Sequence, residues 1–289
     1  LAVIDSTARQ AIGRAPADFR PLALVATFNE ADIVIETVRK LLNDGFDVHI
    51  LDNWSDDGGY EAALALGGEV SGLSVERFPA GGPPSYFEWQ AILQRKDEIA
   101  LLHPGRWVVH ADCDEIRCSP WSGISFRHGL WIADQMGFNA VDFTVCDFRP
   151  IGDEFTLGAS LEQTLTRFEF GKRSGHFTQV KAWRQGTNSV ALAKSGGHQA
   201  DFSGRRVFPY KFMLKHYPLR NPEQARRKIF TERLARFSPH ERELGWHIHY
   251  DHWKLDDEFH WPRGMIEFDE DATRRDYLVE LISGIGILR

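Results

Sequence analysis

Short apolar runs alternate with amphipathic stretches through residues 21–120, and this alternation constrains the fold more than any other feature of the sequence. A run of four to eight apolar residues bounded by turn residues is typical of a strand buried on both faces. Such runs occur at residues 21–27, 46–51, 73–78 and 107–111. Apolar residues at helical spacing lie between them, and the links are short. The sequence therefore predicts an α/β fold with a mostly parallel central sheet flanked by helices.

The pattern is less regular after residue 120. Residues 139–148 are predicted to form a strand, whereas residues 150–215 mix glycine, aromatic residues and short strand-like pieces. Asn221 and Pro222 are suited to the N-cap and first position of a basic helix that we expect to run to residue 237. A further helix is expected over residues 269–281. We divide the chain into a lead-in at 1–20 and two halves of one domain, 21–120 and 121–289.

The amino-acid composition limits the kinds of binding partner and the cellular compartment that the sequence predicts. The formal net charge of −7 does not suit a protein that binds a nucleic-acid backbone, since such proteins present basic surfaces. The three cysteines follow no disulfide pattern, which predicts a reducing, cytoplasmic environment. No apolar stretch reaches the roughly 18 residues that a membrane span needs. We therefore expect neither a nucleic-acid partner nor a membrane span in this chain.

An acidic motif follows the fourth predicted strand. In an extended chain, Asp112 and Asp114 point to the same side. Two carboxylates at a strand end are suited to a hard divalent cation such as Mg²⁺ or Mn²⁺, which shares its other oxygen ligands with a diphosphate. The alternative is a polar loop whose acids cap the next turn.

Polar residues also follow the first two predicted strands. Thr27, Asn29 and Glu30 end the first strand, and Asp52 begins a polar turn after the second. Ligands of open α/β sheets bind beyond the carboxyl ends of the strands, so these side chains could bind a base and ribose. Ordinary turn chemistry is the alternative. Neither the dinucleotide-binding glycine pattern nor the P-loop pattern is present.

Three segments together resemble glycosyltransferase family 2, and most closely its bacterial family 2-like branch. They are residues 25–30, 51–58 and 107–115. The resemblance extends well over residues 20–120 and more loosely to about residue 250. It implies the Rossmann-like GT-A fold and an inverting transfer from a nucleoside-diphosphate sugar of the UDP or GDP type.

The resemblance also implies roles for individual residues. Nucleoside contacts would come from Thr27, Asn29 and Asp52, and Arg95 would lie near the base or phosphates. Asp112 would contact ribose or metal, and Asp114 would be the principal metal ligand. The alternative for Arg95 is a solvated helix charge.

Later histidines and basic residues are further candidates. His216 follows an apolar run and His198 lies in a glycine turn, and either could complete the metal site, although a single histidine is more often structural. The basic residues of segment 220–228 could contact a diphosphate or could form a solvated helix face. A separate transition-metal site at residues 247–251 is a weaker alternative.

Inverting transfer requires a carboxylate that takes the proton of the acceptor hydroxyl. Asp153 and Glu154 follow the predicted strand 139–148, and they are our candidates for this base. The leading hypothesis is a metal-dependent glycosyltransferase whose acceptor is a saccharide, lipid or protein. A metal-dependent phosphohydrolase, a nucleotidyltransferase and a non-catalytic sugar-binding domain are the competing hypotheses.

Overall fold

The computed structural model describes residues 13–156, 158–261 and 263–270. Its first half is a parallel sheet in the order β4-β1-β2-β3. The strands are β1 (Leu22–Thr27), β2 (Asp47–Asp52), β3 (Leu73–Arg77) and β4 (Trp107–Asp112). Helices α1 (Val34–Asn43), α2 (Gly59–Glu69) and α3 (Trp89–Leu101) connect them. The predicted α/β class, with a central parallel sheet flanked by helices, is confirmed.

Local sequence accounts for these elements. Every residue of β1 is buried, because β1 lies between β2 and β4 and is covered on both faces. In α1, Val34, Thr37 and Val38 are buried, which follows from their spacing of three to four residues on one face. The carboxyl ends of β1, β2 and β4 meet at one edge of the sheet, where the polar segments of the sequence follow.

The chain after β4 extends the sheet with mostly antiparallel pairs. Its strands are β5 (Glu115–Cys118), β6 (Ala140–Phe148), β7 (Arg167–Phe170), β8 (Val180–Arg184), β9 (Phe212–His216) and β10 (Ile266–Glu267). β8 pairs with both β4 and β6, so the two halves share one sheet. β9 is antiparallel to β5 and parallel to β6. Beyond β4 the sheet is thus mixed. Of these strands, β6 was predicted, and the apolar run before His216 proves to be β9.

The remaining α-helices lie after β5, and most of them are short. They are α4 (Phe126–Gln135), α5 (Leu161–Thr164), α6 (Pro222–Arg226) and α7 (Pro239–Glu243). Asn221 caps α6 by accepting a hydrogen bond from the amide of Gln224 at 2.8 Å, as the sequence predicts. The chain then continues as a π-helix over Arg227–Arg233. The predicted helix at 269–281 lies almost wholly outside the described residues, as does the lead-in before residue 13.

None of the helices within the described ranges combines the length and the apolar character needed to cross a membrane.

Candidate functional site

Asp114 lies in the turn between β4 and β5, where the chain leaves the parallel sheet. Asp112 is the last residue of β4, and Glu115 is the first of β5. The amide of Cys113 still donates to the carbonyl of Ala26 at 3.1 Å, which continues the β1–β4 pairing into the turn. This turn therefore presents three carboxylates within four residues at the carboxyl edge of the sheet.

Asp114 is paired with a buried lysine. Lys228, in the π-helix, donates to Oδ2 of Asp114 and to Oε1 of Glu30, each at 2.8 Å. Burial alone would raise the pKa of Asp114, but the charge of Lys228 holds it well below its usual range. Burial would in turn lower the pKa of Lys228, and Asp114 and Glu30 raise it above its ordinary value. Both groups are therefore ionised at neutral pH.

His216 approaches the same carboxylate from β9. Its Nε2 lies 3.8 Å from Oδ2 of Asp114. Its Nδ1 donates to Oδ1 of Asp147 at 2.7 Å, across the in-register pair of β6 and β9. Burial would raise the pKa of Asp147, but the hydrogen bond from His216 keeps it well below its usual range. The hydrogen bond to Asp147 turns Nε2 of His216 toward Asp114, and a carboxylate orients many metal-ligating histidines in the same way.

Two more lysines hold Asp112 and Glu115. Lys181 Nζ lies 2.7 Å from Oε1 of Glu115 and 3.9 Å from Oδ2 of Asp112. Lys96 Nζ lies 3.9 Å from the other oxygen of Asp112. Burial would raise the pKa of Glu115, but Lys181 and Arg117 lower it to about 2. The Asp112 side chain remains 30% exposed and is thus the most accessible of the three acids.

Lys96 itself is fully buried and was not predicted from the sequence. It donates to His110 Nδ1 at 2.9 Å and to the carbonyl of Ala111 at 2.7 Å. Burial lowers the pKa of Lys96 to about 7, against the opposing effect of Asp112 and Glu115. A signal was present, because Lys96 lies four residues after Ile92 and three before Ile99, on the buried face of α3.

Arg95, the residue that the sequence suggested instead, lies elsewhere. Its guanidinium is bound by Glu76 on β3, at 2.8 and 3.1 Å, and by Glu98 at 3.0 Å. The structure thus brings Lys96, and not its neighbour, next to the acidic turn. A contact between Arg95 and a donor remains a prediction.

The predicted nucleoside-binding residues form an internal polar network. Asn29, with φ of 53°, donates from its side chain to Glu232 at 3.1 Å and accepts from the amide of Asp56 at 3.0 Å. The Asp52 side chain has no exposed surface, and it accepts hydrogen bonds from Ser55 Oγ at 2.5 Å and Ser55 N at 3.0 Å. Burial raises the pKa of Asp52, and these hydrogen bonds oppose that effect. Thr27 is buried at the end of β1.

The acidic and basic residues of this network are joined through Glu30. Its Oε1 accepts from Lys228, and its Oε2 is bound by the buried Arg220. Arg220 also donates to both oxygens of Asp32, at 2.7 and 2.9 Å. Of the basic segment 220–228, Arg220 and Lys228 are therefore buried ion-pair partners, whereas Arg226 and Arg227 are exposed.

The other predicted site residues are less closely joined to the acidic turn. His198 has Gln179 as its hydrogen-bond partner, at 2.9 Å, and burial lowers its pKa to about 4. Asp153 is mostly exposed and contacts His260 at 3.1 Å, and Glu154 accepts from the amide of Ile151 at 3.2 Å. Both candidate bases lie in the loop that follows β6, which ends with Asp147 and Phe148.

Of the proposed metal ligands, the structure brings Asp114 and His216 next to each other. Across the residues that the structure describes, no three or more histidine, cysteine or acidic side chains form a group that could hold a metal. His247 contacts Glu241 and Asp251 contacts Arg242, and the segment 247–251 forms no such group. Asp114 and His216 still present an oxygen and an oriented nitrogen to the same space. Such a pair fits a divalent cation that takes its remaining ligands from substrate phosphates and water.

Comparison with known proteins adds little to this geometry. No protein-family model matches the chain, and no curated protein matches it. Among solved structures, the chain is similar to the mannosyltransferase PcManGT from Pyrobaculum calidifontis, in complex with GDP-Man and Mn²⁺. The identity is 20% and the TM-score 0.32, over 47% of this chain and 40% of that one. The match thus spans less than half of either chain. A likeness of this size carries no argument about ligand or reaction.

Proposed function

We propose that the protein is a metal-dependent, inverting glycosyltransferase that moves a sugar from a nucleoside-diphosphate sugar to a hydroxyl acceptor. The observation that carries the proposal is the pair of Asp114 and His216, with His216 oriented by Asp147. An acid and an oriented imidazole at the carboxyl edge of a parallel sheet are suited to a cation shared with a diphosphate. The step to sugar transfer is supported by the resemblance of residues 25–30, 51–58 and 107–115 to glycosyltransferase family 2.

Each part of the site then has a chemical task. Asp114 and His216 would hold Mn²⁺ or Mg²⁺, which would supply positive charge against the departing diphosphate. Asp112, the most accessible acid of the turn, accepts a hydrogen bond from a ribose hydroxyl or joins the cation. Lys96 and Lys181 keep that carboxylate in place. Thr27, Asn29, Glu30 and Asp52 shape the nucleoside end of the donor site at the carboxyl ends of β1 and β2.

The transfer itself exchanges one bond for another. The acceptor oxygen forms a bond to the anomeric carbon while the bond from that carbon to the diphosphate oxygen breaks. The hydroxyl proton passes to a carboxylate, for which Asp153 and Glu154 are the candidates. They fit that role because their loop begins where β6 ends, next to Asp147.

Thermal unfolding with nucleoside diphosphates tests the proposal. We expect one of UDP, GDP, ADP, CDP or dTDP, together with Mn²⁺, to raise the melting temperature by about 5 °C at saturating concentration. Asp114→Asn should lose this shift, whereas the exposed control Asp256→Asn should retain it. Slow hydrolysis of the matching nucleotide sugars, followed by chromatography, would then identify the donor. Absence of a shift with every nucleotide, with and without Mn²⁺, would rule the proposal out.

A further inference from the structure

The ammonium group of Lys228 lies against the carboxylate that we assign to the cation. It is buried, and it bridges Asp114 and Glu30 with two hydrogen bonds of 2.8 Å. It is therefore held within 2.8 Å of Oδ2 of Asp114, the same oxygen that faces His216. Lys228 comes from the π-helical turn Arg227–Arg233, a widened helical geometry that is frequently found at functional sites.

The charges around Lys228 are nearly balanced without any added ion. Two cations, Arg220 and Lys228, are paired with three carboxylates, those of Glu30, Asp32 and Asp114. A divalent cation placed beside Asp114 would bring two further positive charges next to the buried ammonium group. Like charges that close together in a buried site are strongly unfavourable. A diphosphate brings negative charge that offsets the cation, so that the lysine no longer lies next to an uncompensated positive charge.

This inference rests on the proposed function. We propose that Lys228 is an internal counter-ion whose ammonium group is paired with Asp114 in the donor-free protein. The divalent cation therefore binds appreciably only together with the diphosphate. On binding, the ammonium group exchanges Asp114 for a diphosphate oxygen and keeps its contact with Glu30. Arg220 does not share this role, because Glu30 and Asp32 hold its guanidinium and it has no exposed surface. Lys228 is thus the residue that couples the two binding events.

Titration of Mn²⁺, followed by its electron paramagnetic resonance signal or by calorimetry, tests the coupling. In the wild-type protein, we expect Mn²⁺ alone to bind at least about tenfold more weakly than Mn²⁺ in the presence of the selected nucleoside diphosphate. In Lys228→Met, Mn²⁺ alone should bind about tenfold more tightly than in the wild type, because Asp114 is then unoccupied. The exposed control Lys254→Met should behave as the wild type.

A second variant separates charge from side-chain shape. Lys228→Arg keeps the positive charge, so its affinity for Mn²⁺ alone should stay as weak as that of the wild type. In the wild-type protein, linkage requires that Mn²⁺ strengthen the binding of the nucleotide by the same factor by which the nucleotide strengthens the binding of Mn²⁺. If Lys228→Met does not fold, the two wild-type titrations decide, because equal affinity for Mn²⁺ with and without nucleotide overturns the proposal.

The outcomes distinguish this inference from the function on which it rests. If no nucleoside diphosphate binds under any condition, the proposed function fails. If a nucleotide binds but wild type and Lys228→Met bind Mn²⁺ alone with equal affinity, only the role of Lys228 fails.

Discussion

Nδ1 of His216 donates a hydrogen bond to Oδ1 of Asp147 at 2.7 Å, and the two residues face each other in register on the parallel strands β6 and β9. The second oxygen of Asp147 lies 3.5 Å from Nδ1 of His176, so one buried carboxylate is in contact with two imidazoles. Asp147 therefore orients the ring of His216 and turns its Nε2 toward Asp114.

Loss of the Asp147 carboxylate should weaken cation binding although Asp147 is not itself a proposed ligand. We expect Asp147→Ala to reduce the affinity for Mn²⁺ in the presence of the nucleoside diphosphate by about 10- to 100-fold, the usual effect of removing an orienting partner. His216→Ala should reduce it at least as much. Calorimetry on both variants and on the control Asp256→Ala provides the measurement, and an unchanged affinity in Asp147→Ala would contradict the orienting role.

Arg220 should contribute strongly to the stability of the fold. Its guanidinium has no exposed surface and is bound by Glu30 and Asp32. Arg220→Met removes the cation that Asp32 and Glu30 share, and only Glu30 keeps a partner, Lys228. We therefore expect the free energy of unfolding to fall by about 3–5 kcal/mol. Arg39→Met, at an exposed position on α1, should change it by no more than about 0.5 kcal/mol. Urea unfolding of the two variants tests this, and similar losses would contradict it.

Lys96 should make stability depend on pH in the alkaline range. Its pKa is about 7 in the folded protein, lowered by burial from an ordinary value of 10.5. Between these values the unfolded chain binds the proton more strongly, so the free energy of unfolding rises with pH, by up to about 1.4 kcal/mol per unit. Below pH 7 this contribution to stability is absent.

The comparison that isolates this effect is wild type against Lys96→Met. The difference in their free energies of unfolding should grow in favour of the wild type between pH of about 7 and about 9.5. Lys254→Met serves as the control for an exposed lysine. A difference that stays constant over this range would show that Lys96 keeps an ordinary pKa.

Arg95 and Lys96 should differ in their effect on nucleotide binding. Lys96 lies 3.9 Å from Asp112, whereas Arg95 is paired with Glu76 and Glu98 on a partly exposed surface. We expect Lys96→Met to weaken binding of the nucleoside diphosphate with Mn²⁺. Arg95→Met should leave binding near the wild-type value and reduce the free energy of unfolding by less than about 1 kcal/mol. The reverse order in calorimetry would favour the role that the sequence suggested for Arg95.

Two glycines in helices should respond to alanine with opposite signs. A Cβ atom at Gly129, in α4, would lie 2.8 Å from the Cβ of Ser119 and 2.9 Å from the ring of Phe212, so we expect a loss of about 1–3 kcal/mol. At Gly68, in α2, nothing lies within 4 Å of the added atom, and alanine should gain about 0.4–1 kcal/mol. Thermal unfolding of both variants checks the signs.

The sequence predicts the first half of the fold well because each element there carries its own signal. Strands β1 to β4 are short apolar runs, and the helices between them have regular spacing. By contrast, β5, β7, β8 and β10 were not recognised as strands, and β9 was noted only as an apolar run before His216. The residues Glu115–Cys118 of β5 alternate polar and apolar, and their partner β9 lies far away in the chain. Pairing over such distances leaves no local pattern.

The candidate site likewise contains some residues that the sequence predicts and others that it does not. Asp114 and His216 were each predicted from their positions at strand ends, and the structure brings them within 3.8 Å of each other. Lys96 and Lys181 were not singled out, because a lysine in a helix or strand is ordinarily solvated. Their burial depends on acids contributed by a different segment. Ion pairs between distant segments become visible only once the chain is folded.

Strand β9 places His216 next to two residues that precede it in the chain, Glu115 on β5 and Asp147 on β6. Asp147 lies 69 residues before His216. Lys228, which follows on the next helix, reaches back 114 residues to Asp114. Closing loops of this length is slow relative to forming local elements. During synthesis, the parallel strands would emerge and pair first, before His216 and Lys228 have been added to the chain. A nascent chain that ends before residue 212 would thus carry Asp114 without His216 and Lys228, and competence for binding would arise only with the last third of the polypeptide.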